Sequence, residues 1–187
     1  MKRIVIFASG SGTNAENIIK YFKNNALANV VSVLSNKSDA KVLDKASSHG
    51  VDNSFFKKSD LLDNDVVQNL LIDLKPDLIV LAGFLLKFPS NIISKFPNKI
   101  INVHPALLPK YGGKGMYGQH VHKAVVANKE IESGITIHYV NEFYDEGNII
   151  FQADTKILAS DTHKDVAAKI HLLEQKHFPL VIEQLLN

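Results

Sequence analysis

Short β-branched, apolar runs alternate with amphipathic segments through the first hundred residues, and that alternation admits few folds. It is the pattern of βαβ units, whose parallel strands are buried on both faces under covering helices. The expected class is α/β: a Rossmann-like, mostly parallel twisted sheet with helices on both faces, with residues 1–187 forming a single domain. Strands are expected at Ile4 to Ala8, Val30 to Leu34, Asn53 to Phe56, Leu78 to Leu81 and Ile100 to Val103, each bounded by Gly, Pro, Asn or Ser. The first helix opens at Thr13 with Glu16 in capping-box position and turns Ile18, Ile19 and Phe22 inward. A second covers Ala40 to His49. A third, Leu61 to Lys75, carries the stripe Leu62, Val66, Leu70 and Leu74 before Pro76 stops it. Pro109 to His122 has no apolar period and reads as a long ordered loop. Gly134 to Val140 and Ile149 to Ala153 read as late strands. Thr162 to Leu186 reads as a terminal helix, capped by Asp161 and kinked or divided at Pro179.

Charge and composition exclude several classes of partner. Lys and Arg number 21 against 19 Asp and Glu, a net charge of +2, so no basic surplus favours a nucleic acid. The first apolar run, Lys2 to Ala8, is too short for a leader or a membrane span. There is no cysteine, which excludes disulfides, thiolate metal sites and thiol nucleophiles and suits a reducing, cytoplasmic setting.

Two constellations carry chemistry. Ser9 to Ala15 places Gly10 and Gly12 between the first strand and first helix, where backbone N–H groups and the helix dipole favour an anion. Phosphate of a small substrate is the direct reading. Gly10, Gly12 and Ala15 also satisfy the dinucleotide pattern, but the second strand ends in Leu34-Ser35-Asn36 without the acidic residue that a ribose requires. A tight turn without ligand is the third reading. Asn102 and His104 lie two apart at the carboxyl end of a strand and project to one side, as two donors suited to an oxygen that becomes negative during attack on a carbonyl. Asp145 is the candidate to orient His104 and keep it protonated, with Glu146 as its competitor. With no Cys and no G-x-S-x-G elbow, the acyl acceptor is expected to attack directly.

Ser9 to Asn14, Leu81-Ala82-Gly83-Phe84, Asn102 to Pro109, Ser133 to Val140 and Asp145 together resemble, in order and spacing, the folate-dependent formyltransferases, and among them the phosphoribosylglycinamide formyltransferases of purine synthesis. The resemblance covers nearly the whole chain. It implies Asn102, His104 and Asp145 as catalytic residues, 10-formyltetrahydrofolate as donor and glycinamide ribonucleotide as acceptor. It further implies Gly12, Thr13 and Asn14 on the ribonucleotide phosphate, and Glu174 on the glycinamide portion; His171 shares a helical face with Glu174 and joins it as a candidate. The folate would lie against Leu85, Leu86, Lys87 and Phe88, Asn102, His138, and Val140, Asn141, Glu142, Phe143, Tyr144 and Asp145. No metal is implied, and the molecule is expected to be a monomer or homodimer. Ala106 stands where a serine is common, the Lys110 to His122 segment is longer than its bacterial counterpart, and Asp60 falls near the position of an arginine that touches the folate tail in some relatives.

His120, His122 and His138 suggest a metal set, but no fourth ligand is evident; substrate-side hydrogen bonding by His138 or His122 is the better reading. Within the same superfamily, formyltetrahydrofolate deformylase carries an extra N-terminal domain and methionyl-tRNA formyltransferase an extra C-terminal one. Neither is expected here. An amino-sugar formyltransferase and a non-catalytic nucleotide-binding module are the remaining alternatives.

Overall fold

The computed structural model describes residues 1–187. Strands β1 (Lys2–Phe7), β2 (Ala28–Ser35), β3 (Asn53–Phe55), β4 (Leu78–Leu81), β5 (Ile100–His104), β6 (Glu132–Tyr139) and β7 (Ile149–Lys156) form one sheet in the order β3-β2-β1-β4-β5-β6-β7. The first five are parallel, and β6 and β7 turn back antiparallel, so the sheet is mixed at one edge. Alternation along the strands feeds two cores. Ile4, Ile6, Val80, Ile101 and Ile137 face α1 (Thr13–Lys23), α2 (Lys41–Ser48), α6 (Gln119–Ala127) and α7 (His163–Leu186). Val5, Phe7, Ile79, Leu81 and Ile100 face α3 (Lys58–Leu62), α4 (Val66–Leu74) and α5 (Ser90–Lys95). The expected α/β class is observed, and no helix is long and apolar enough to cross a membrane.

Four local expectations are corrected. Glu16 does not complete a capping box: Gly12, at φ 70°, stands at the head of α1 without a side-chain cap, and Glu16 instead reaches Lys20 (2.6 Å) and Lys45 (2.7 Å). Hydrogen bonds from those two lysines hold its carboxyl down at about 2. Leu61 to Lys75 is two helices, not one, because the polar turn Asp63-Asn64-Asp65 interrupts it and resets the phase. Leu61, Val67 and Leu71 therefore point inward while Leu62 and Val66 are exposed. The loop after Pro109 ends at Gly118, where α6 begins and buries Val121 and Val125 one turn apart. Thr162, not Asp161, caps α7: its hydroxyl accepts the Asp165 N–H while the Asp165 carboxylate takes the Thr162 N–H (2.8 Å). Asp161 holds the Leu158 N–H (2.8 Å) and Lys169.

Pro179 lies inside α7 without dividing it. A proline cannot donate to the carbonyl four residues back, here that of Gln175. That carbonyl accepts the Asn17 side-chain N–H (2.8 Å), so α1 satisfies what the proline leaves open and docks α7 beside the glycine turn.

The turn between β6 and β7 depends on Gly147, where a Cβ would overlap the Tyr139 carbonyl oxygen. Gly147→Ala is expected to force this turn off the sheet and cost on the order of 1–3 kcal/mol. Urea unfolding checks this, and an unchanged midpoint contradicts the close approach.

Candidate active site

The carboxyl ends of β1, β4 and β5 open into one cavity of about 460 Å³, a size suited to small organic ligands. One half belongs to the α1, α6 and α7 side of the sheet. There the Gly10 to Asn14 turn meets His171 and Glu174 of α7 and His122 of α6. Asn14 does not offer its side chain to the cavity as a free donor. Its amide gives a hydrogen bond to Glu174 (2.9 Å) and its oxygen accepts one from Gln175 (2.7 Å). The first-turn amides of α1, uncapped by any side chain, are what the turn presents to an anion.

The other half lies over the second core. Phe84 to Phe88 follow β4 and form one wall, with Phe7, Phe84 and Phe88 in edge-to-face contact at 5.1 to 6.2 Å. Val140, Asn141, Phe143 and Tyr144 form the facing wall, and Lys87 Nζ lies 5.6 Å from the Tyr144 ring centroid. Glu142, expected among these, is exposed and outside the cavity. The Asn141 oxygen accepts the Phe143 N–H (3.0 Å), and this local turn directs the residue between them outward.

Between the halves sit Asn102, His104, His138 and Asp145. Asn102 and His138 are register partners on β5 and β6, and their side chains meet at 3.2 Å. His138 Nδ1 donates to the Tyr139 carbonyl (2.9 Å), and its Nε2 lies between the Asn102 amide and Asp145. This orients the carboxamide and leaves its second N–H for the cavity. His104 is 3 % exposed; its Nδ1 is 3.5 Å from Asp145, and its Nε2 donates to the Tyr111 carbonyl (2.7 Å). Asp145 also approaches His138 Nε2 (3.7 Å) and accepts the Gly113 N–H (2.9 Å). Glu146 is exposed and makes no contact with His104.

A family model described as formyl transferase matches residues 2–182. The chain belongs to the formyl transferase family. Phosphoribosylglycinamide formyltransferase of Escherichia coli K12 is 34% identical over 186 residues, 96% of this chain and 84% of that protein. The enzyme of the same name from Bacillus subtilis is 34% identical over 192 residues, 100% and 96% of the two chains. A chloroplastic relative from Arabidopsis thaliana is 36% identical over 97% of this chain, which spans 64% of that protein's length. The crystal structure of glycinamide ribonucleotide transformylase 1 from Geobacillus kaustophilus superposes with a TM-score of 0.91 at 31% identity, covering both chains fully.

Electrostatics at the centre run against one expectation. Burial disfavours the imidazolium of His104 and outweighs Asp145 and the Tyr111 carbonyl, so the group titrates below the ordinary imidazole value rather than above it. Asp145 lies below the usual carboxylate value: burial opposes its ionisation, but His138, His104 and the Gly113 amide overcome it. His171 is raised, chiefly by the Glu174 carboxylate 3.6 Å from its Nδ1. His120 is exposed against Tyr117 while His122 is buried, so the pair does not share a face.

Several contributions could not be read from the sequence. Ser9 donates to Asn36 (2.7 Å) and accepts the Leu85 N–H (3.0 Å), which ties the second wall to the end of β1. Met116 and Tyr117 line the cavity from the glycine-rich loop. The Tyr111 acceptor is a main-chain oxygen, which any residue could supply.

Asp145 is the charge that opposes burial at His104, so Asp145→Asn is expected to move the His104 titration to still lower pH. NMR titration of the ring measures this; an unmoved or raised value contradicts the pairing. Because the folded value lies below the unfolded one, the folded chain binds fewer protons in the interval between them. His104 therefore adds stability above the ordinary imidazole value and loses that contribution as pH falls.

Proposed function

We propose that this chain transfers the formyl group of 10-formyltetrahydrofolate to the amine of glycinamide ribonucleotide, in purine synthesis. The observation that carries the reading is the meeting of Asn102, His104 and Asp145 between a glycine-turn half and an apolar half of one cavity. The ribonucleotide phosphate lies against the backbone of Gly12, Thr13 and Asn14, with His171 and Glu174 beside the glycinamide. The folate lies against Leu85 to Phe88, Val140, Asn141, Phe143 and Tyr144, and its formyl carbon meets the amine at the centre.

The amine nitrogen attacks the formyl carbon and the carbonyl pair moves onto oxygen. The free Asn102 N–H and the His104 Nε2–H receive that charge, His104 exchanging the Tyr111 carbonyl for the formyl oxygen, one acceptor for another of the same kind. When the tetrahedral intermediate collapses, the carbon–nitrogen bond to the folate breaks. Its electron pair returns to the folate nitrogen, which takes a proton as the acceptor nitrogen gives one up. Developing negative charge beside His104 adds to Asp145 and favours the imidazolium that burial disfavours in the free protein. No side chain bonds to the formyl group, so both substrates are held together. A cytoplasmic setting and a monomer or homodimer complete the reading.

The test is the absorbance change of the folate on addition of glycinamide ribonucleotide. Formylation of the ribonucleotide is expected, and hydrolysis of the folate without an acceptor would instead favour a deformylase. Asn102→Ala should reduce kcat by ~100- to 1,000-fold, the usual effect of losing one oxyanion donor. A raised KM with kcat intact would make Asn102 a binding residue only.

A further inference from the structure

His122 is buried, 6 % exposed, and its Nδ1 is enclosed with no hydrogen-bond partner. It is the single buried side-chain nitrogen or oxygen of this chain in that condition. The ring lines the cavity from α6, and its other nitrogen, Nε2, is not enclosed and makes no hydrogen bond within the chain, so it is the one open to that space. These two facts fix what the ring can do. A hydrogen on Nδ1 would be an orphaned N–H donor in the interior, the rarest kind of unsatisfied group, and an imidazolium would carry one unavoidably. A bare lone pair costs less. The hydrogen therefore belongs on Nε2, and the ring is a neutral donor with little capacity to take up a proton.

The surroundings suit one function for such a donor. Glu174 of α7 lines the same cavity beside the Gly10 to Asn14 turn, and its charge reaches the ring, as do those of His163 at the start of that helix and His104 of β5. Glu174 is an acceptor there, already taking the Asn14 amide. A donor and an acceptor set together complement an amide group: the carboxylate takes its N–H and the imidazole gives to its carbonyl oxygen.

We propose that His122 is a specificity-determining residue, the neutral Nε2–H donor that selects an acceptor carrying a carbonyl next to its amine, and not the base that takes the amine proton. The inference rests on the proposed formyl transfer and names the feature of the acceptor that this half of the site reads.

The test compares glycinamide ribonucleotide with an analogue in which a methylene replaces the amide carbonyl. The full-length protein should prefer the amide by about tenfold in kcat/KM, the order of one neutral hydrogen bond. His122→Leu should abolish that preference through a higher KM for the amide substrate, while the loss of rate at low pH, where the acceptor amine is protonated, stays in place. His122→Gln, which keeps a donor at similar reach, should restore most of it. Long-range proton–nitrogen NMR of the unmodified protein should find the His122 hydrogen on Nε2 near neutral pH. Undiminished preference in His122→Leu, disappearance of the low-pH loss of rate, or a hydrogen on Nδ1 would each overturn the proposal. If the unmodified protein formylates neither compound, the transfer reading fails and the selection role fails with it. In that case the NMR result still decides which nitrogen carries the hydrogen.

Discussion

The centre of the site is organised by one partly buried carboxylate. Asp145 sits at φ 56° in the turn between the last two strands, a left-handed conformation that Asp adopts more readily than most side chains. From there it faces His104 on β5 and His138 on β6 and accepts the Gly113 amide from the glycine-rich loop. Three separate segments are thus fastened to one charge. Remove it and the imidazoles lose their common partner, while the loop that carries Tyr111 loses the Gly113 contact beside it.

The sheet explains why this charge meets a cavity with two unlike halves. Strands β1, β4 and β5 run parallel and end together, and residues alternate between two separate cores. Past the ends, the chain falls to one side as the glycine turn into α1 and to the other as the Phe84 to Phe88 wall. One side offers backbone N–H groups and the Glu174 carboxylate; the other offers aromatic surface. A polar anion and a flat apolar donor can therefore approach Asn102 and His104 from opposite sides.

Much of this was legible in the sequence, because β-branched runs and a glycine turn encode strand ends directly. Asn102 and His104 could be placed on one side of a strand end from spacing alone, and Asp145 was a candidate from its turn between the late strands, with Glu146 as its competitor. What could not be read depends on sums over the folded chain. The protonation balance of His104 weighs burial against Asp145, and only the fold supplies the burial. Glu16 looked like a cap until α2 brought Lys45 beside it. The stripe through Leu62 and Val66 assumed an unbroken helix, and the turn at Asp63 to Asp65 shifted its phase. Asn14 looked like a ligand donor, whereas α7 takes its side chain.

The central claim is that both substrates occupy this one cavity and that the formyl group passes between them without resting on the protein. Initial velocities measured with the folate and the ribonucleotide varied together test it most directly. The account predicts intersecting double-reciprocal lines and no label retained on protein incubated with formyl-labelled folate alone. Parallel lines with a labelled side chain would contradict it.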